Sequence, residues 1–150
     1  MPREQNIALA LRYYEECPPD DGDPEKKRAS YVADEILSDD FTMYFNGEAD
    51  DEAMQGRQAH KGFLIAHTQA FGGERWSVEA IVADENTVAC QWRCKATHRE
   101  TNNPIDILAA DFFTVRDGHL AVLRRFLDFE TLEDQRSPTA TVQATNASPD

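Results

Sequence analysis

VACQWRCKATHRETNNPIDILAADFFTV, Val88 to Val115, holds two alternating runs joined by a polar turn. In the first run Val88, Cys90, Trp92, Cys94, Ala96 and His98 share one strand face, and Ala89, Gln91, Arg93, Lys95, Thr97 and Arg99 share the other. In the second, Ile105, Ile107, Ala109, Asp111, Phe113 and Val115 line up, with Leu108, Ala110 and Phe112 opposite. Thr101, Asn102 and Asn103 before Pro104 supply the turn, so the pattern predicts an antiparallel pair with Trp92 and Asp111 on the same concave face. His98 closes the first inward stripe. Asp111 interrupts the second, and a carboxylate in such surroundings must be paired, hydrogen-bonded or protonated. It is therefore either a structural ion-pair partner, with Arg124 or Arg125 of the next strand, or a functional group.

Working outward, Asp84 to Asn86 and the Asp117-Gly118 pair mark further turns, which gives strands at Arg75 to Ala83, Thr87 to Arg99, Ile105 to Arg116 and His119 to Phe129. The last strand has apolar residues on both faces, so its phase stays open. Upstream, Ile7, Ala10, Leu11 and Tyr14 mark a helix that stops at Cys17 before Pro18 and Pro19. Asp23 and Pro24 form a cap and first turn for a second helix with Ala29, Val32, Ala33 and Ile36 inward. Phe41 to Phe45 reads as a strand and Asn46 to Gln55 as a polar loop. Gly56 to Phe71 reads as a third helix with Ala59, Phe63, His67, Ala70 and Phe71 near one stripe, ended by Gly72 and Gly73. Residues 1–135 are expected to form one domain and 136–150 a disordered tail. The fold class is α+β: three N-terminal helices on a cone-shaped, curved antiparallel (mixed) sheet, enclosing a cavity.

The chain has 150 residues, a formal charge of −13 and a pI near 4.6. That charge argues against nucleic acid or an anionic membrane as partner. Cys17, Cys90 and Cys94 form no metal-ligand doublets; Cys90 and Cys94, on one strand face, stand roughly 13 Å apart, too far for a disulfide. Reduced thiols and the lack of a long apolar run indicate a cytoplasmic protein. The four histidines lack metal-site spacing, and no phosphate loop, dinucleotide fingerprint or nucleophile elbow is present, so neither metal nor cofactor is expected. His60 and His119 are expected at the surface, and His67, alone on an apolar helical face, in the core or lining the cavity. The opposite strand face, with Ala89, Gln91, Arg93, Lys95, Leu108, Ala110 and Phe112, has no helix left to cover it and predicts a two-fold homodimer.

The order of elements resembles the nuclear transport factor 2-like superfamily, and within it the SnoaL-like polyketide cyclases, from about Ile7 to Gln135. The likeness rests on NTVACQWRCKATH (Asn86 to His98), with tryptophan followed six residues later by histidine, on DFFTVRDGHL (Asp111 to Leu120), and on RFLDFETLEDQ (Arg125 to Gln135). It implies that Asp111 is the acid/base of a cyclase and that His98 assists it. Asp111 also matches the oxyanion-stabilising aspartic acid of ketosteroid isomerases, a carboxyl kept neutral to donate a hydrogen bond. Its tyrosine partner would be Tyr13 by local sequence or Tyr14 by helical frame. The isomerases' proton-abstracting aspartate falls near Phe45, an apolar residue. Limonene-type epoxide hydrolases need aspartate, arginine and aspartate where this chain has Trp92, Cys94 and Arg125.

The resulting expectation is cofactor-free proton-transfer chemistry on an apolar carbonyl compound, such as aldol cyclisation or isomerisation. Asp111 would move the proton, His98 and Tyr14 would assist, and Trp92, Phe113, Phe45, Tyr13, Arg125 and His67 would contact the substrate. The alternative is a non-catalytic ligand-binding or dimerisation module of the same fold.

Overall fold

The strand carrying Trp92 and the strand carrying Asp111 pair antiparallel, with Cys90 opposite Asp111 and Trp92 opposite Ala109, all turned to the concave side. The computed structural model describes residues 2–18, 22 and 27–138. Its elements are α1 (Pro2–Glu16), α2 (Lys27–Ile36), β1 (Leu37–Phe45), β2 (Met54–Gln55), α3 (Arg57–Ala70), β3 (Phe71–Ala83), β4 (Thr87–His98), β5 (Pro104–Arg116), β6 (His119–Leu127) and α4 (Phe129–Arg136). One six-stranded sheet runs in the order β2-β1-β6-β5-β4-β3, antiparallel except where β1 lies parallel to β6. The expected α+β architecture is present. The cap expected at Asp23 and Pro24, and most of the expected tail, lie outside the described residues.

α1 begins earlier than Ile7 and turns Asn6, Ala10, Tyr13 and Tyr14 inward. Asn6 donates to the carbonyls of Asp84 and Glu85 (3.1 and 2.9 Å), which fastens the helix to the β3–β4 turn. α2 buries the four residues its period indicates. α3 is rotated from its expected phase: His60, Leu64 and Thr68 are buried, Ala59 is exposed, and Phe63 and His67 are half-buried. His60, expected at the surface, is thus fully enclosed, because the helix packs on Phe41 of β1 through that side (ring centroids 4.9 Å).

Gly72 and Gly73 do not end α3. The helix stops at Ala70, and its last carbonyls are satisfied from β4's end, Arg99 Nε donating to Thr68 (3.0 Å) and the Arg99 backbone to Ala70 (2.9 Å). Gly72 permits that approach, since a Cβ there would meet Arg99 Nη1 at 2.9 Å. Gly73, at φ +58, sits in a bulge between Gly72 and Arg75. Glu74, within the bulge, is buried, and Trp76 and Val78 beyond it are half-buried on the same side.

The structure adds two elements to the sequence reading. Met54 and Gln55, expected in a loop, add an edge strand to β1. β6 ends at Leu127 rather than Phe129, because Asp128 caps a fourth helix by accepting from the Thr131 backbone (3.0 Å) and hydroxyl (2.7 Å). Gln135 then exchanges two hydrogen bonds with the backbone of Asp106 (2.9 and 3.0 Å), holding α4 against β5.

Candidate functional site

Strand period delivers Asp111 to the inner face, and the next strand decides its partner. Register shifts between Thr114 and Val115 bring Asp111 opposite Arg125, so Arg125 points inward while Arg124 lies outside over the Tyr44 ring (4.1 Å). Arg125 grips Asp111 in a two-pronged bond, Nε to Oδ1 and Nη2 to Oδ2, each 2.9 Å. The Tyr14 hydroxyl donates to Oδ2 at 2.5 Å. Since that proton is committed, the Cys90 thiol, 2.8 Å from the same hydroxyl, is the donor to it. Burial pushes the Cys90 pKa up to about 12, which keeps its proton in place. Burial and then the Asp111 charge raise the Tyr14 phenol. For Arg125 burial opposes the charge, but the Asp111 carboxylate overrides it and holds the guanidinium well above its usual value.

Asp111 is completely enclosed by this network and does not reach the cavity. The cavity, about 220 Å³, lies on the other side of Arg125 between the sheet, α3 and α4. Phe45, Phe63, Phe71, Trp92 and Phe129 form much of its wall, and its titratable members include His67 and Glu74. The Arg125 guanidinium stacks on Trp92 (4.6 Å); Nε and Nη2 are taken by Asp111, and Nη1 is the nitrogen not bonded to it. Glu74 Oε1 accepts from His67 Nδ1 (3.2 Å) and from the Cys94 thiol (3.3 Å). The Cys94 thiol is raised by burial and then by Glu74, so it remains protonated. With Nδ1 carrying its proton toward Glu74, His67 keeps Nε2 as its basic nitrogen.

A carboxylate-oriented imidazole facing an apolar cavity, with a fixed guanidinium in the same wall, can take a proton from a substrate and stabilise the oxyanion that results. The residues 25–123 match the family of the SnoaL-like domain. The chain belongs to that family. Among solved structures, a candidate SnoaL-like polyketide cyclase from Jannaschia sp. CCS1 superposes with a TM-score of 0.76 at 20% identity, covering 90% of this chain and 93% of that one. A candidate polyketide cyclase from Xanthomonas campestris pv. campestris gives 0.70 at 18% identity, with 91% and 100% covered. An epoxide hydrolase from M. tuberculosis gives 0.69 at 14% identity, with 97% and 98% covered. At such identities these likenesses establish the fold. No curated protein matches the chain significantly.

Within this SnoaL-like domain the sequence-derived site residues divide into three groups. Trp92, Phe45, Arg125 and His67 meet at the cavity. Asp111, Tyr14, Tyr13 and Phe113 lie in the core behind Arg125, where Tyr13 and Tyr14 both turn inward and pack on Phe113 (5.6 and 6.0 Å). Both tyrosines are therefore accommodated: Tyr14 binds Asp111, and Tyr13 meets His60 Nε2 at 3.0 Å. His98 is brought together with neither group. It stands eight residues along β4 from the partner of Asp111, on the order of 25 Å away, and its Nδ1 bonds Thr101 Oγ1 at 2.8 Å. Glu74 was missed because the strand was expected to begin at Arg75; the inward period of Trp76 and Val78, extended back by two residues, marks it. Trp92, Cys94 and Arg125, the three positions aligned with epoxide hydrolase chemistry, all line the cavity but present no carboxylate to it. Among the described residues, no cluster of three or more His, Cys, Asp or Glu could hold a metal ion, and no helix is long and apolar enough to cross a membrane.

Proposed function

We propose that this protein is a cofactor-free acid/base enzyme acting on an apolar carbonyl compound, by enolisation followed by isomerisation or aldol closure. The observation that carries the reading is the His67–Glu74 pair in an apolar cavity that also contains Arg125. His67 Nε2 removes the proton next to the carbonyl, the C–H electron pair forms the enolate C=C bond, and the carbonyl π pair moves onto oxygen. Arg125 Nη1 stabilises the enolate oxygen. The imidazolium then returns its proton, either to a different carbon, which is isomerisation, or to the alkoxide formed when the enolate attacks a second carbonyl. Glu74 is a positioning residue for His67, and Asp111 and Tyr14 are positioning residues for Arg125. In this reading the proton-moving role expected of Asp111 belongs to His67, because both oxygens of Asp111 are bonded away from the cavity. The chain acts as a homodimer in the cytoplasm, a reading supported by its exposed outer-face aromatics and by Cys90 and Cys94, which form no disulfide.

The test is α-proton exchange in heavy water, followed by proton NMR, with phenylacetone, acetophenone and 2-tetralone. Wild type should accelerate exchange of at least one ketone, and His67→Gln should lose about 100-fold or more with its melting temperature unchanged. Exchange at the buffer rate for all three, with the ketones still bound, would establish the non-catalytic binding module instead.

A further inference from the structure

We propose that the ligand of this cavity is a small apolar carboxylic acid whose carboxylate is held by Arg136 at the cavity mouth. The proposal rests on the reading that this cavity is the functional site. Besides His67, the charged side chains lining it are Glu74, Arg125 and Arg136. Arg125 already holds a carboxylate, Asp111, on Nε and Nη2, so it has no second paired edge with which to grip a ligand carboxylate. The Glu74 side chain is 1% exposed, with Oε1 accepting from His67 and Cys94 and Oε2 buried without a partner, so it is far less open to a ligand head group than the 40%-exposed Arg136. Arg136 is different. Its side chain is 40% exposed, and its partner, Glu133, is 67% exposed and sits outside the lining (3.0 Å). An exposed pair of this kind is weak and easily exchanged. Arg136 Nε is buried with no hydrogen-bond partner.

The rest of the cavity sets the body of the molecule. Phe63, Phe71, Phe129 and Leu132 call for apolar groups, and about 220 Å³ is less than the roughly 300–1,000 Å³ of drug-sized sites, which limits the ligand to one or two rings. The Arg136 guanidinium lies 6.0 Å over the Phe71 ring, so a carboxylate there leaves the hydrocarbon pointing inward to His67 and Arg125. With a formal charge of −13 the far field repels anions, so carboxylate preference has to arise by contact with this guanidinium.

The probes are 4-phenylbutyrate, 4-phenylbutan-1-ol and 4-phenylbutylammonium, which share a body and differ in head group, titrated calorimetrically against wild type, Arg136→Met and Arg136→Lys. Wild type should bind the carboxylate at least 10-fold more tightly than the other two. Arg136→Met should bring the carboxylate and the alcohol within twofold of one another, and Arg136→Lys should keep part of the preference. The proposal is overturned if the alcohol or ammonium compound binds as well as the carboxylate, or if wild type binds no carboxylate at millimolar concentration. It is also overturned if Arg136→Met weakens all three equally, since Arg136 would then serve only to seat α4. These titrations involve no chemistry, so their failure is distinct from failure of the exchange reaction.

Discussion

Asp111 and Arg125 show what a buried charge requires of its neighbours. Two ions removed from water gain stability only through good mutual geometry, and the two-pronged contact supplies it. Asp111→Asn leaves a buried guanidinium without its counter-charge and should cost about 3–5 kcal/mol, read by urea denaturation. Replacing both partners, Asp111→Asn with Arg125→Met, should recover most of that loss; a double variant as unstable as the sum of the singles would mean the two residues act independently. His60 presents the opposite case, a titratable group buried neutral. Burial, then the charges of Arg125 and His67, depress its pKa from 6.5 to about 3. Below pH 6.5 the unfolded chain binds a proton that the native imidazole refuses, so stability is full above that pH and declines as pH falls toward 3. The slope reaches about 1.4 kcal/mol per pH unit. Between pH 6.5 and 5, before the carboxylates titrate, His60→Gln should flatten that slope, measured by denaturation at each pH.

At the scale of elements, α4 and the β3 bulge bring Phe129, Leu132, Arg136 and Glu74 to the cavity. α4 contributes no fully buried residue and is held by its cap, by Gln135 and by the Asn103 amide, which donates to the carbonyls of Gln135 and Ser137 (3.0 and 2.7 Å). Asp128→Ala should therefore destabilise the helix by about 1 kcal/mol. The effect should appear as faster amide hydrogen exchange in residues 129–136 while the sheet is unchanged. The bulge sets the phase that turns Glu74 toward His67. Gly73 adopts φ +58, so Gly73→Ala strains the left-handed backbone by about 1 kcal/mol and should reduce α-proton exchange along with stability. A melt shift without loss of exchange would uncouple the bulge from the site.

For the whole molecule, the outer sheet face carries Leu108, Phe112 and Phe126 in exposed positions, the two phenylalanines in an edge-to-face pair (6.0 Å). Around them Arg93 bridges Glu79 (2.9 Å) and Asp106 (2.8 Å), so both signs of charge border the apolar patch and a second copy can match it. Light scattering at micromolar concentration should report twice the 17.0 kDa chain mass, and Phe112→Lys should reduce it to the monomer. A wild-type monomer would remove the dimer from the proposed function. Local alternation was enough to put Trp92 and Asp111 on one concave face and to identify the hairpins around them, because strand period and turn chemistry are properties of adjacent residues. The same reasoning placed Ala29, Val32, Ala33 and Ile36 inward. It could not choose between Arg124 and Arg125, since β6 is apolar on both faces and a bulge at Thr114 sets its register. Nor could it see that His60 packs on Phe41, that Gly72 and Gly73 form a bulge exposing Glu74 to His67, or that α4 reaches back over the cavity with Arg136. Each of these depends on which strand or helix lies opposite, a matter settled by packing between segments far apart in the chain, and only the tertiary structure decides it.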